Sequence, residues 1–178
     1  DYAKSFFTSP IYDNRAVDDN SFSEAKKSNK DFSNWANRNL YAHKVSGYQA
    51  VIISLKAPSV APGDATDVQM DNIADLSDQY SFSEIIVTHD QNLVLPHVKQ
   101  GDLFSLWQAL DKQNLATSNI GLLTDMICCP GLDFCSLANA GSIPIAKQIN
   151  EKFDDMDYLH DIGDIKIKMS GCMNACGH

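Results

Sequence analysis

The chain has 178 residues, 44% of them hydrophobic, with 23 acidic against 14 basic side chains and a net charge of -9. With Arg15 and Arg38 as its only arginines, it is excluded as a nucleic-acid binder, which needs clustered cations to displace counterions, and as a complete site for a small anion, which needs several convergent cations. No apolar run is long enough for a membrane span, and "DYAKSFFTSP" lacks the basic-then-apolar order of a signal peptide, so a cytoplasmic location is expected.

Residues 1–40 read as a polar lead-in or linker, with aromatics at Phe6, Phe7, Tyr12, Phe22, Phe32 and Trp35 and one helix around 22–39. "YQAVIISLK" (48–56) predicts a strand, and "APSVAPGD" (57–64) a loop. Residues 65–80 space Val68, Ile73, Leu76 and Tyr80 as a helix does. Two strands, 84–88 and 93–98, are expected around "HDQN". A helix over 102–113 follows, with Asp102 as its N-cap and Leu103, Leu106, Trp107 and Leu110 as its apolar face. "IGLLTDMIC" (120–128) reads as a fourth strand. The order β-α-β-β-α-β is an α+β, ferredoxin-like split βαβ unit, a fold that hosts many functions. A helix over 142–153 and a strand over 165–169 then deliver the chain to Gly171 and Cys172.

All five cysteines lie in two short stretches, "ICCPGLDFC" and "GCMNAC". The useful spacing is Cys129-x5-Cys135 and Cys172-x3-Cys176, two pairs able to present four thiolates to one point. Disulfides suit a secreted chain, which nothing here suggests. Structural zinc prefers shorter gaps than x5. A [4Fe–4S] cluster takes four thiolates and suits the wider gap, so spacing alone puts it ahead of zinc and leaves both open. Cys128 reads as a small buried hydrophobe at a strand end, with a ligand exchange with Cys129 as the alternative.

The stretches "GLLTDMICCPGLDFCSLANAGSIPIAKQI" and "IKIKMSGCMNAC" resemble the sirohaem-dependent nitrite/sulfite reductases, whose signature is C-x5-C and then C-x3-C with glycine before the third cysteine. The likeness runs back through "THDQNLVLPHV", "DLFSLW" and "GYQAVIISLK" to about residue 35. It implies a second ferredoxin-like half-domain at 41–128, followed at 129–178 by the N-terminal part of an α/β sirohaem/[4Fe–4S] domain, the first half-domain preceding residue 1. Cys129, Cys135, Cys172 and Cys176 would hold the cluster, and Cys176 would bridge it to the sirohaem iron. The implied reaction is the six-electron reduction of sulfite to sulfide, or of nitrite to ammonia, with electrons from a flavoprotein or a ferredoxin. Without its first half-domain, such a fragment is expected to be inactive. A reading from another class is a binding module built on a four-thiolate zinc site; a third is a simple iron–sulfur electron carrier.

The chain departs from the family in one loop. Where members show T-x-R-Q, it has Thr88-His89-Asp90-Gln91-Asn92, with Asp90 in the arginine's place. Gln91 and Asn92 are candidates for hydrogen bonds to the macrocycle's edge, the alternative being a simple turn. Asn174, between two ligands, is a candidate donor to sulfur or a turn former. His89 and His97 flank the 93–98 strand and could face the cofactor, His97 being expected on a strand surface. His43 and His160 read as surface residues, and Lys166 and Lys168 as a solvated strand face.

Overall fold

A computed structural model describes residues 9–13 and 20–178; Phe6, Phe7 and Arg15 lie outside them. Two helices open the described chain from residue 20, α1 (Asn20–Ser28) and α2 (Lys30–Asn39). The single helix expected at 22–39 divides at Asn29, whose side-chain oxygen accepts the Phe32 N–H at 2.9 Å and starts α2 afresh. Helix α2 buries Phe32, Trp35, Ala36 and Asn39, one face at i, i+3, i+4 and i+7. Phe32 and Trp35 are fully buried, each such burial stabilising by roughly 1.5–3 kcal/mol. They belong to the main core.

Strands β1 (Leu40–Ala42), β2 (Tyr48–Ile53), β3 (Ile86–Val87) and β4 (Leu93–Lys99) form one antiparallel sheet in the order β1-β2-β4-β3. Helix α3 (Asp67–Tyr80) joins β2 to β3, and α4 (Leu103–Asp111) follows β4. Val51 and Ile53 of β2, with Leu93, Leu95 and Val98 of β4, face Ile73 of α3 and Leu103, Leu106 and Leu110 of α4 in that core. A capping box between Thr66 and Gln69 begins α3. Val68, expected on its apolar face, is exposed. Asp102 does not cap α4; it lies in a helical turn, Gln100–Asp102, without a side-chain cap.

The ferredoxin-like half-domain is present, with one correction to its strands. The fourth strand expected at 120–128 does not join the sheet, whose edge beside β2 is taken by β1. Gly121, at φ +79°, and the turn bonds Leu122 N–H to Asn119 O and Asp125 N–H to Leu122 O fold that apolar run into turns. Its leucines, Leu122 and Leu123, pack instead on Leu159 of α6 (Met156–Ile162). Only β5 (Ile127–Cys128) is extended, and it pairs in parallel with β6 (Lys168–Met169) in a second, two-stranded sheet. Helix α5 (Ser142–Lys152) lies between them in sequence and packs on β5 through Ala146. None of the described helices is long and apolar enough to cross a membrane.

Candidate functional site: the paired cysteine loops

The parallel β5–β6 pair delivers both cysteine loops to the same end of one small sheet. Beyond it the pairing continues, Cys129 N–H donating to Met169 O at 3.0 Å. The first loop turns through Pro130 and a helical turn at Gly131–Asp133, closed by Cys135 N–H donating to Gly131 O at 2.9 Å. The second is tied to it by Asn139 and Ala140, whose N–H groups both donate to Gly171 O. Two glycines make this approach possible. A Cβ on Gly131, at φ +59°, would lie 2.7 Å from Ser142 N, and one on Gly171 would lie 2.8 Å from Ala140 O.

One sulfur is already held in this junction. Cys129 Sγ accepts the Gly171 N–H at 3.0 Å and lies 3.4 Å from Ser142 Oγ. The Ser142 hydroxyl lowers the Cys129 pKa most, against burial, with the Gly171 and Gly131 amides helping. Both contacts favour the thiolate form of Cys129. Cys128, its neighbour, is the opposite. Burial pushes its thiol up to about 11, aided by Cys129 and Asp133, and it packs with Met126 and Ala146, as the reading of a small buried hydrophobe expects. Cys135 and Cys172 are half-buried and Cys176 is exposed. Among the described residues no three His, Cys, Asp or Glu side chains converge as metal ligands, so the loops are docked while the four sulfurs are not gathered. Asn174 is exposed in the turn between Cys172 and Cys176, where Ala175 N–H donates to Cys172 O and Ala175 takes φ +54°.

The opposed thiols give a prediction. Folded Cys128 keeps its proton up to about pH 11, whereas the unfolded thiol loses it near 9.0. The folded state therefore binds more protons between these values, and stability falls as pH rises through that window. Cys128→Ala is expected to remove this part of the alkaline loss, read as a narrowing gap between the two proteins' urea midpoints from pH 8.5 to 11.

The Thr88–Asn92 loop reaches the same junction. The Gln91 side chain clasps the backbone of Cys128, donating from Nε2 to its carbonyl and accepting its N–H at Oε1, both at 2.9 Å. Asn92 is buried. Its Oδ1 accepts from Leu55 N–H and from Lys56 Nζ, and its Nδ2 donates to Asp125. Both amides thus bind protein, Gln91 fixing the loop to β5 and Asn92 tying it to Leu55, Lys56 and Asp125. Asp90 offers its backbone carbonyl to Lys56.

Lys56 and Asp125 are the residues that the sequence reading passed over. Lys56 Nζ, without exposure, lies 2.7 Å from Asp125 Oδ1, whose Oδ2 accepts the Gly121 N–H. Burial lowers the lysine's pKa, Asp125 opposing. The available signal was one charge of each sign inside an otherwise apolar run, "VIISLK" and "GLLTDMI". Arg38 is also engaged, pairing with Asp164 beside an open cleft of about 400 Å³ that Lys166 shares. His89, Lys166 and Lys168 are exposed, and His160 Nε2 lies 3.1 Å from Ser118 O. His97 does not sit on a free strand surface: only 12% of its side chain is exposed, and it packs against Tyr12 and His43.

A helix-backed antiparallel sheet leading into docked cysteine loops defines an α+β protein of the ferredoxin-like half-domain class. Residues 44–113 match the family model described as the nitrite/sulfite reductase ferredoxin-like half domain, and through this half-domain the chain belongs to the nitrite/sulfite reductase family. It is 31% identical over 121 residues to an assimilatory ferredoxin-dependent nitrite reductase of Haloferax mediterranei, covering 67% of this chain and 20% of that one. It is 27% identical over 146 residues to a protein named sulfite reductase [ferredoxin] 2 of Mycolicibacterium paratuberculosis, covering 76% and 26%. The chain therefore spans only a fifth to a quarter of these relatives. The solved structure of the NirA protein of Mycobacterium tuberculosis shares the fold, with a TM-score of 0.64 at 24% identity over 79% of this chain and 25% of that one.

Proposed function

We propose that this chain is part of a sirohaem/[4Fe–4S] reductase that carries out the six-electron reduction of sulfite to sulfide. The half-domain would end near residue 128, and residues 129–178 would begin the cofactor-bearing domain. The observation that carries the reading is Cys129 Sγ, which accepts the Gly171 N–H from the opposite cysteine loop and so ties the two halves of the C-x5-C and C-x3-C motif together. Cys129, Cys135, Cys172 and Cys176 would hold the cluster, and the exposed Cys176 would be the thiolate shared with the sirohaem iron. When bound, these groups supply the electron transfer and the substrate-binding iron. This chain's own part is to hold Cys129 as a thiolate through Ser142 and Gly171, and to brace the loop through Gln91.

Apolar side chains around the cysteines stand in solvent, Phe134 at 81% and Met173 at 96% exposure. Such a patch marks a surface made to be covered, here by cofactor and by the first half-domain. With Arg38 paired to Asp164, the cations for the anion would come largely from that other half. Electrons come from a flavoprotein or a ferredoxin; ferredoxin stands in the names of both relatives above. Because one of them is named a nitrite reductase, reduction of nitrite to ammonia is the second reading.

The test is anaerobic reconstitution of the 178-residue chain with iron and sulfide. Iron, zinc and acid-labile sulfide are then assayed beside a visible spectrum. About four irons and four sulfides per chain, lost in Cys129→Ser and Cys172→Ser but kept in Cys128→Ser, are expected. A colourless protein with one tightly held zinc would replace this reading by the zinc-stabilised binding module.

A further inference from the structure

We propose that the far end of the sheet carries a proton-sensitive clasp, in which the chain His43–His97–Glu84 holds the segment around Tyr12 until both imidazoles are protonated. Gln91, at the start of β4, serves the cysteines; His97 lies near the opposite end of that strand. The register of β4 against β2 shifts by one residue between Val51↔Leu95 and Gln49↔Val98, so Pro96 and His97 face a single residue. This bulge accommodates a proline that has no N–H for the ladder. It also turns the His97 N–H away from β2, to Ser81 Oγ at 3.1 Å.

The hydrogen bonds assign the protons. Val45 N–H donates to His43 Nδ1 at 2.9 Å, so the neutral His43 ring carries its proton on Nε2. That nitrogen lies 3.2 Å from His97 Nδ1 and donates to it. His97 must then carry its own proton on Nε2, which lies 3.2 Å from Glu84 Oε2 and donates there. The Tyr12 hydroxyl reaches the same His97 Nδ1 at 3.3 Å. With these tautomers both Nδ1 atoms accept and both Nε2 atoms donate, although Val45 O also lies 3.4 Å from His43 Nδ1. His43 has no lone pair left to converge with that of His97, which rules against a shared metal ion.

Tyr12 is what this chain holds. Its ring lies 5.3 Å from His43 and 5.6 Å from His97, and edge-on to Tyr48 at 5.1 Å and to Phe82 at 5.9 Å. Beside it, Asp13 N–H donates to Tyr48 Oη at 2.9 Å, and the Asp13 carboxylate lies 3.6 Å from Lys99 Nζ. Ile11, one residue before, is 89% exposed. The charged and titratable groups facing the two rings are therefore Glu84, Tyr12 and Tyr48, with the Lys99–Asp13 pair alongside.

Adding protons reverses the arrangement. A proton added to His97 would place its Nδ1–H against the His43 Nε2–H, which His43 relieves only by moving its own proton to Nδ1, toward Val45 O at 3.4 Å. A second proton on His43 would displace the Val45 N–H and turn its Nδ1–H toward Val45 O, 3.4 Å away, while its Nε2–H still faced the His97 Nδ1–H. Two cations with opposed donors 3.2 Å apart cannot both remain, and histidine is the side chain that changes charge between about pH 5 and 8. The rings part, and Tyr12 loses its floor.

The experiment is amide exchange and imidazole NMR on the intact 178-residue chain across pH 7.5 to 5. Corrected for intrinsic rates, protection of the Asp13 amide is expected to fall about tenfold or more as the pH falls, together with a change in the His43 and His97 ring signals. His43→Phe leaves His97 free to donate to Tyr12 and is expected to abolish this response, while Lys99→Gln keeps it. Protection that does not change with pH, or a His43→Phe protein following the wild-type curve, would overturn the clasp.

Discussion

Replacing Lys56 by methionine is expected to lower the unfolding free energy by about 3–5 kcal/mol, the cost of breaking a buried ion pair from one side. Three acceptors converge on the Lys56 ammonium: Asp125 Oδ1, Asn92 Oδ1 and the Asp90 carbonyl. Methionine keeps most of the volume and removes every donor. Asp125, only 9% exposed, would be left charged with just the Gly121 and Asn92 N–H groups. The attraction itself is not the main term, because burying both ions already costs much of what their pairing returns. The double variant Lys56→Met/Asp125→Asn should therefore cost less than the two single changes added together, by about 0.5–3 kcal/mol. Urea unfolding followed by Trp35 and Trp107 fluorescence measures the cycle; additive costs would show that the pair does not act as a unit.

The same lysine has a sign in pH. Its folded pKa lies below the unfolded 10.5 because burial dominates, so the unfolded chain binds more protons in the window below 10.5. This group's contribution to stability rises with pH there, opposite to the fall that Cys128 produces. Lys56→Met is expected to flatten the first trend alone.

What could be read from the residues depended on whether the signal was local. The helical spacing in α3 and α4 and the β-branched run of β2 were legible because each is a local signal of an element that meets one core. The cysteine motif was legible because its spacing lies in the chain itself. The apolar run at 120–128 misled because strand-like composition does not reveal that Gly121 turns left-handed and that Asp125 closes onto its N–H. The lead-in was undervalued for a similar reason. Phe32 and Trp35 look like scattered aromatics until Asn29 caps a second helix and sets them on one face. Lys56 and His97 depend on partners 69 and 54 residues away, and no window of sequence contains both members of either pair. Gln91 and Asn92 were singled out by position in a loop, yet their amides were committed to Cys128 and to Lys56 by contacts that only the fold supplies.

Gly171→Ala should separate the thiolate junction from the half-domain core in a single experiment. The new methyl would meet Ala140 O at 2.8 Å, Gly131 Cα at 3.1 Å and Ser142 Oγ at 3.1 Å. Two of these are backbone atoms of the first cysteine loop, so the loops must move apart rather than a side chain swing away. That motion would lengthen the Gly171 N–H to Cys129 Sγ bond and the two amide bonds into Gly171 O. Cys129 would lose one of the groups holding its thiolate form. If Cys129 is the ligand proposed above, a change of this kind beside it is expected to weaken iron–sulfur incorporation by roughly 10–100-fold. The main core of Phe32, Trp35, Val51 and Leu106 lies outside this contact, so its urea midpoint should stay close to wild type. Ser142→Ala, which removes one donor and opens space, should by contrast weaken incorporation less and leave the loops docked. If Gly171→Ala instead takes up iron and sulfide like the wild type while its core is intact, the close approach of the loops is a packing feature only. The proposed cluster would then have to be held by cysteines whose positions do not depend on it.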